Sequence, residues 1–562
     1  MPANTTATNS SSPAASDGSR QSRLRKNAWH RKASRPVTIW MIIFVICTAL
    51  YPVFPDYRWL LIHLFTLGAL TNSIMLWSQS LTEKFLHQPL AEETRIWQVR
   101  RFWILNFGIA LVIIGQLLER VWEYNWTITC TGSLIVGLSL LYHAIYLGRQ
   151  YLHADRTQRF APAVLAYIAS ATFLPLGAIG GSIMSIYPRG MWHDRIVLAH
   201  MICNVLGFVG CAAVGSLSLL FPAVWRTQAP KTPIRLELVL MIAGVLTAAL
   251  GALIDAPDLL AFGLGTYLLA ILLAAWQWAQ CITNVLKDPR DRITFSSLAV
   301  AAAPLWLIGG ISSVIWSAID TNTVATIELP SLHFVIGFAG QLLIGVMSYL
   351  LPSNIGGGPA ATRTGLLMYD RAGILRSTLF NLGMLVWMFS TNNTLNLIVA
   401  VLTIGSLGVF LLLTPFAVRA QLGVIRKQRE PATAPQHPAW WQAIGGVAII
   451  VAVMFGTGGM ASGSMPGFTS TDDVTTVEIE AGDMKFTPAD VSVPRGTKLR
   501  LVIHNVDDMA HDLHIEIGAN TKRVAPGDTV ELDVGQIDKD LDGWCTIAGH
   551  RSKGMEFHIR VT

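Results

Sequence analysis

Charge is what this sequence has least of. Lys, Arg, Asp and Glu together make up 14% of its 562 residues, where a soluble domain carries about 25%. That excludes an ordinary globular enzyme over most of the length. With 52% hydrophobic residues and a positive mean hydropathy, the chain reads as a polytopic membrane protein whose first partner is the lipid bilayer. Cysteine is scarce too. Five of the six (Cys47, Cys130, Cys203, Cys211 and Cys281) lie scattered in apolar runs, where a cysteine is a small core residue, and no disulfide framework is legible. A signal-peptide pattern is missing as well. The basic stretch from Arg20 to Arg35 is followed by an apolar run from Val37 that continues through Tyr51–Pro55 into further spans, with no small-residue cleavage site after it. The net charge of +6 belongs to topology signals and points to no nucleic acid.

Apolar runs long enough to cross a bilayer number about 13: 37–55, 58–81, 101–119, 124–148, 160–187, 195–225, 236–254, 259–286, 294–319, 331–353, 375–390, 393–418 and 439–459. With the N-terminus inside, the cytoplasmic segments and their edges hold 27 Lys and Arg, while the six outer loops hold four (Arg58, Arg120, Arg189 and Arg195). That bias places residues 1–36 in the cytoplasm and everything after the last span outside it, in a multi-pass protein of the cell membrane. Residues 1–36 read as a disordered basic tail, 37–459 as the transmembrane domain and 460–476 ("MASGSMPGFTSTDDVTT") as a Gly/Ser tether. Residues 477–562 change character to alternating runs such as "KLRLVIHN" and "MEFHIRV", which predict a small antiparallel β-sandwich outside the cytoplasm.

That last segment carries four soft ligands. "DGWCTIAGHRSKGMEF" sets Cys545, His550 and Met555 five residues apart, and "NVDDMAHDLH" supplies His511 upstream. Two imidazoles and a thiolate with a weak thioether suit a copper that cycles between Cu(I) and Cu(II). His511 and His514 face opposite sides of their strand by alternation, and His504, His514 and His558 read as ordinary side chains. The stretch 477–562 resembles the cupredoxin (blue copper) family. The resemblance implies a Greek-key sandwich with a type 1 copper on His511, Cys545, His550 and Met555, and gives Asp512 the task of tying the two ligand loops together. Multicopper oxidases and copper nitrite reductases route electrons through a histidine beside the cysteine. Here Trp544 and Thr546 flank it, so no catalytic residue is assigned and the domain is expected to carry electrons.

The membrane part repeats itself. "GFVGCAAVGSLSLLFP" (207–222) and "GFAGQLLIGVMSYLLP" (337–352) share their glycines and final proline, "LGALTNSIML" (67–76) is a weaker copy, and His63, His200 and His333 precede the three copies. The copies fall in spans 2, 6 and 10, which predicts three four-helix units. Glycines so spaced allow close helix packing, and intramembrane histidines are functional candidates; His143 and the outer-loop His193 read as unremarkable. This arrangement resembles the scaffold of the heme-copper oxidase catalytic subunit and of non-oxidase relatives such as the NnrS family. The resemblance implies a b-type heme held by His63 and His333 near the outer surface, with His200 in a vestigial site or near a quinol. Span 7 lacks the His-His pair for the active-site copper, and Asn204 stands where a tyrosine would follow His200, so no oxygen- or nitric-oxide-reducing centre is expected.

Three functions compete. The first passes electrons from quinol or heme in the membrane through the blue copper to an extracytoplasmic copper enzyme such as nitrite reductase. The second is copper homeostasis, for which the tether offers only Met460 and Met465. The third is the membrane subunit of a split multicopper oxidase or nitrite reductase, as the domain also resembles the extra domain attached to some actinobacterial enzymes of those kinds. In each the chain is an electron-transfer component or oxidoreductase subunit rather than a complete enzyme. The charge bias makes one outcome checkable: reporter fusions near Ser10 and at Thr562 report opposite sides of the membrane, and the same side for both would overturn the count.

Overall fold

The computed structural model describes residue 29 and residues 32–457 and 474–562, apart from 55–56, 120, 188–189, 191, 229, 231–232, 391 and 548. Most of the expected N-terminal tail and most of the tether therefore lie outside the described residues. The helices run α1 (Arg35–Ala49), α2 (Tyr57–Phe85), α3 (Glu92–Leu117), α4 (Asn125–His153), α5 (Ala163–Ile186), α6 (His193–Val224) and α7 (Ile234–Leu253). They continue as α8 (Pro257–Leu286), α9 (Phe295–Ile319), α10 (Leu332–Ile355), α11 (Pro359–Tyr369), α12 (Gly373–Phe389), α13 (Asn393–Ile425) and α14 (Trp441–Gly456). Every apolar run of the sequence is helical, as it must be where lipid offers the backbone no partners. Fewer than thirteen are full-length, however. Among the described residues ten helices are long and apolar enough to cross, or eleven if α11 and α12, bent by 41°, form one span. Helices α1 and α14, with 15 and 16 residues, reach only about 22–24 Å against a hydrocarbon core of about 30 Å.

The repeat is built into the packing. In α2, α6 and α10 the backbone widens to a π-helix, at Leu64–Leu70, Ile202–Gly210 and Leu332–Gly340. Such segments are rare and frequently functional. Each carries a glycine on which an aromatic ring of the preceding repeat helix is seated: Trp40 on Gly68, Phe173 on Gly207 and Trp306 on Gly337. A Cβ at Gly207 or Gly337 would lie 2.5 or 2.6 Å from the ring's Cγ. Four residues further on, Asn72 of α2 exchanges hydrogen bonds with Asn106 of α3, whose Oδ1 also accepts from Trp40 Nε1 at 2.6 Å. The third unit repeats the bracket with Gln341, Asn381 and Trp306, at 3.2 and 2.8 Å. In the middle unit Phe173 and Cys211 stand in those places. Its freed carbonyls are met from elsewhere, Leu206 O by the Tyr267 hydroxyl and Phe208 O by Ser170.

Residues 474–562 form two four-stranded sheets, ordered β2-β1-β4-β6 and β3-β8-β7-β5. The strands are β1 (Val474–Gly482), β2 (Lys485–Thr487), β3 (Asp490–Val493), β4 (Thr497–Asn505), β5 (His514–Ile515), β6 (Thr529–Ile537), β7 (Leu541–Trp544) and β8 (Glu556–Val561). The sheets are mixed rather than antiparallel throughout. β1 pairs parallel with β4, and β3 with β8, because the chain passes between sheets before returning. Alternation along β4 sends Leu499, Leu501 and Ile503 into a core shared with Ile479, Phe486, Phe557 and Ile559. The domain rests on one end of the helical part, touching residues 58, 119, 194, 325 and 327. The Asp255 carboxylate braces that end, accepting from Arg195, the Thr323 hydroxyl and the Val324 amide.

Overpacking a close contact costs about 1–3 kcal/mol. Gly337→Val is therefore expected to lower the thermal unfolding temperature of the detergent-solubilised protein. Gly405→Ala, whose added Cβ meets open space, leaves it unchanged or raises it.

Candidate metal centre

The ligand site forms where the two sheets of the β-domain meet its loops. After β4 the Asn505 amide donates to Met509 O and Val524 O, both at 2.8 Å, and so folds the 505–511 segment back on itself. His511 is then held by a reciprocal backbone pair with Val524. On the other side, β7 runs into Cys545 and β8 leaves from Met555. The intervening turn closes through Cys545 N to Met555 O and Met555 N to His550 O, each 3.1 Å. Gly549 and Gly554, at φ +88° and +100°, supply the left-handed residues that so tight a loop requires. The carboxylate of Asp512 joins the two halves, accepting from Thr546 N at 2.5 Å and Thr546 Oγ1 at 2.6 Å, the tie between ligand loops that the sequence suggested.

These constraints bring one nitrogen from each imidazole and the sulfur within 4.8 Å of one another, all on buried residues. His511 Nδ1 lies 3.2 Å from His550 Nδ1, which lies 3.5 Å from Cys545 Sγ. His511 Nε2 is 2.9 Å from Asp507 Oδ2. A carboxylate there fixes the proton on Nε2 and leaves the Nδ1 lone pair facing the cluster. Burial pushes the Cys545 thiol well above its ordinary range, with the charge of Asp512 adding to it. Burial holds His550 well below its own, assisted by His511, His193, Lys553 and Arg523. Burial thus favours the neutral thiol of Cys545 and the neutral imidazole of His550, and a soft cation that ionises the thiol is the species the pocket fits. Met555 is fully buried in the same core as Cys545. The remaining histidines of the domain are engaged elsewhere: His504 with Thr529, His558 with Asp542, and His514 against the Trp544 ring.

In the helical domain His63 stacks on Trp59 and bonds its carbonyl through Nδ1 at 2.8 Å. His200 Nδ1 bonds Gly177 O at 2.7 Å, with Asn204 Nδ2 3.3 Å from both ring nitrogens. Their ring centres are 6.4 Å apart. His333 instead lies edge-on to Trp306, at 5.5 Å. Among the described residues the ring contacts join His63 to His200, and His333 lies against Trp306. The reason is register. The repeat glycines superpose, but the histidines precede them by five, seven and four residues. His193, read as an unremarkable loop residue, is the first residue of α6 and lies 6.4 Å from the ring of His550. No spacing signals it, because its partner belongs to the other domain.

Residues 447–539 match the cupredoxin-like domain family, a stretch that takes in β1–β6 and stops short of Cys545. Among curated proteins, an uncharacterized protein of Rickettsia prowazekii (strain Madrid E) is 40% identical over 68 residues, 11% of this chain and 50% of its own; the chain thus spans about half the length of that relative. Two solved structures are similar, the Na-dithionite-reduced auracyanin from the photosynthetic bacterium Roseiflexus castenholzii and auracyanin B. Each is 18% identical over 16% of this chain, covering 97% and 95% of the auracyanins with a TM-score of 0.15. The C-terminal β-domain is a cupredoxin-like domain whose His–Cys–His cluster fits a type 1 copper site, carried on a domain of membrane-crossing helices.

Proposed function

We propose that this is a membrane-anchored type 1 copper electron-transfer protein, with its copper domain outside the cytoplasm. The observation that carries the reading is the enclosed set of His511, Cys545 and His550, braced by Asp507 and Asp512. Bound copper supplies one-electron exchange between Cu(I) and Cu(II). The protein's contribution is to hold the donors rigid, keep water out and fix the His511 proton on Nε2. Met555, buried in the same core as Cys545, would supply the weak thioether donor. The helix ends beneath the domain belong to the side poor in Lys and Arg, which supports the outside placement. Electrons come from the membrane, from quinol by way of a b-type heme, and leave to an extracytoplasmic copper enzyme such as nitrite reductase. His63, His200 and His333 are the candidate heme residues. For His63 and His200, the Nδ1 bonds to backbone carbonyls orient the rings as they do in metal-ligating histidines.

The full-length protein loaded with copper is expected to turn blue on oxidation. Cys545→Ser loses the colour with the fold retained, and Met555→Leu keeps copper but raises its reduction potential. A colourless oxidised wild type would sink the reading. The membrane relay has its own check, a reduced-minus-oxidised heme spectrum of detergent-purified protein beside His63→Ala, His200→Ala and His333→Ala. Loss of heme in the first variant and in one of the other two identifies the axial pair. No heme in the wild type removes heme from the proposal.

A further inference from the structure

The copper domain does not stand clear of the membrane domain. Its ligand end faces the helices, and the contacts surround the site. Arg58 Nη1 donates to Thr546 O at 3.3 Å, next to Cys545. Asp194 Oδ2 accepts from Ala510 N at 3.2 Å, next to His511. Lys553 pairs with Glu119 at 3.4 Å, beyond His550. Arg523 Nη1 reaches Ala325 O and Ile327 O at 3.4 and 3.1 Å. Three separate places on the helical domain thus hold the two loops that carry the ligands, and a fourth holds Arg523, beside the Val524 that pairs with His511.

Within this ring, two buried nitrogens have no hydrogen-bond partner among the described residues. They are His550 Nε2 and His193 Nδ1. Orphaned groups of this kind are rare in folded proteins and call for a partner. The rings that carry them are 6.4 Å apart, centre to centre, and tilted by 51°, so the two orphaned atoms belong to neighbouring side chains of the two domains. His550 turns Nδ1 towards Cys545 and His511. With that atom given to a metal, the neutral ring carries its proton on Nε2, a donor without an acceptor. A neutral His193 with a bare Nδ1 is that acceptor.

We propose that His193, on the membrane domain, completes the copper site by accepting the Nε2–H of His550. The cupredoxin-like domain thereby supplies the ligands, and the helical domain supplies the group that orients one of them. This rests on the copper reading above and names the chain's own membrane domain as the first partner of the copper. His193 is a positioning residue, since it acts through His550. An acceptor on the far nitrogen makes the imidazole a stronger donor to the metal, and so favours Cu(II). Docking of the two domains and the potential of the copper are thereby linked.

The test uses the full-length, copper-loaded protein in detergent, read by redox titration and by pulsed EPR of the remote imidazole nitrogens. His193→Phe is expected to stay blue while the Cu(I)/Cu(II) balance shifts about three- to tenfold towards Cu(I), tenfold being about 59 mV for a one-electron couple. The remote-nitrogen coupling of one imidazole changes with it. His193→Gln, whose amide oxygen can accept the same bond, returns both readings towards wild type. A blue His193→Phe with unchanged potential and unchanged remote-nitrogen coupling would overturn the proposal. Should His193→Phe fail to fold, Glu119→Lys repels Lys553 and parts the two faces without touching either histidine. The same rise and coupling change are expected there, and their absence overturns the proposal equally. A wild type without blue colour would fail the copper reading itself, a distinct result.

Discussion

The helical domain depends on one steric fit, made three times: an aromatic ring set directly on a glycine. At Gly68, Gly207 and Gly337 no side chain stands between the ring and the opposing backbone. That sets how closely α1 meets α2, α5 meets α6 and α9 meets α10. Lipid tails are as apolar as the helices, so burial drives little of this association, and close van der Waals contact has to hold it. The same glycines sit in π-helical turns, where the widened backbone leaves carbonyls for side chains to satisfy. With the inner helices fixed, their outer ends and the loop around Asp255 make a platform of defined shape, and the β-domain rests on it.

The metal centre reflects a different economy. A buried thiol and two buried imidazoles stand together, and no ordinary core would gather them. What gathers them is second-layer polarity: Asn505 folding the first ligand loop, Asp507 on His511, and Asp512 clasping Thr546. Hydrogen bonds to ionised carboxylates are stronger than neutral ones. These constraints order the donors before any ion arrives, and an ordered site changes little in shape when an electron comes or goes.

The sequence made some of this legible and hid the rest, for physical reasons. Apolar length located every helix but the short α11, since a span must satisfy its own backbone. Hydropathy sees α1 and α14 but not that their described lengths are 15 and 16 residues. The Cys-x4-His-x4-Met spacing marked Cys545 and His550 of the cluster because they share one turn. His511 stood out only because its segment was already marked as β. The repeat was visible through its glycines, but the histidines looked equivalent when their offsets from those glycines differ, and that difference turns His333 to Trp306. The Trp–Asn–amide brackets, such as Trp40 with Asn106 and Asn72, join residues far apart in the chain, and no local pattern encodes them. His193 was invisible for the same reason at larger scale, its meaning lying in a surface contributed by the other domain.

The middle unit differs from its neighbours. Units one and three close their Trp–Asn–amide brackets; the second has Phe173 and Cys211 instead, and its helix is held through carbonyls bonded by Ser170 and Tyr267. That helix, α6, begins at His193 beneath the copper loop and contains His200 beside His63. Three copies of one design have therefore divided their labour. The outer two serve as struts, and the central one is a stem that joins the interior of the membrane domain to the copper domain above it.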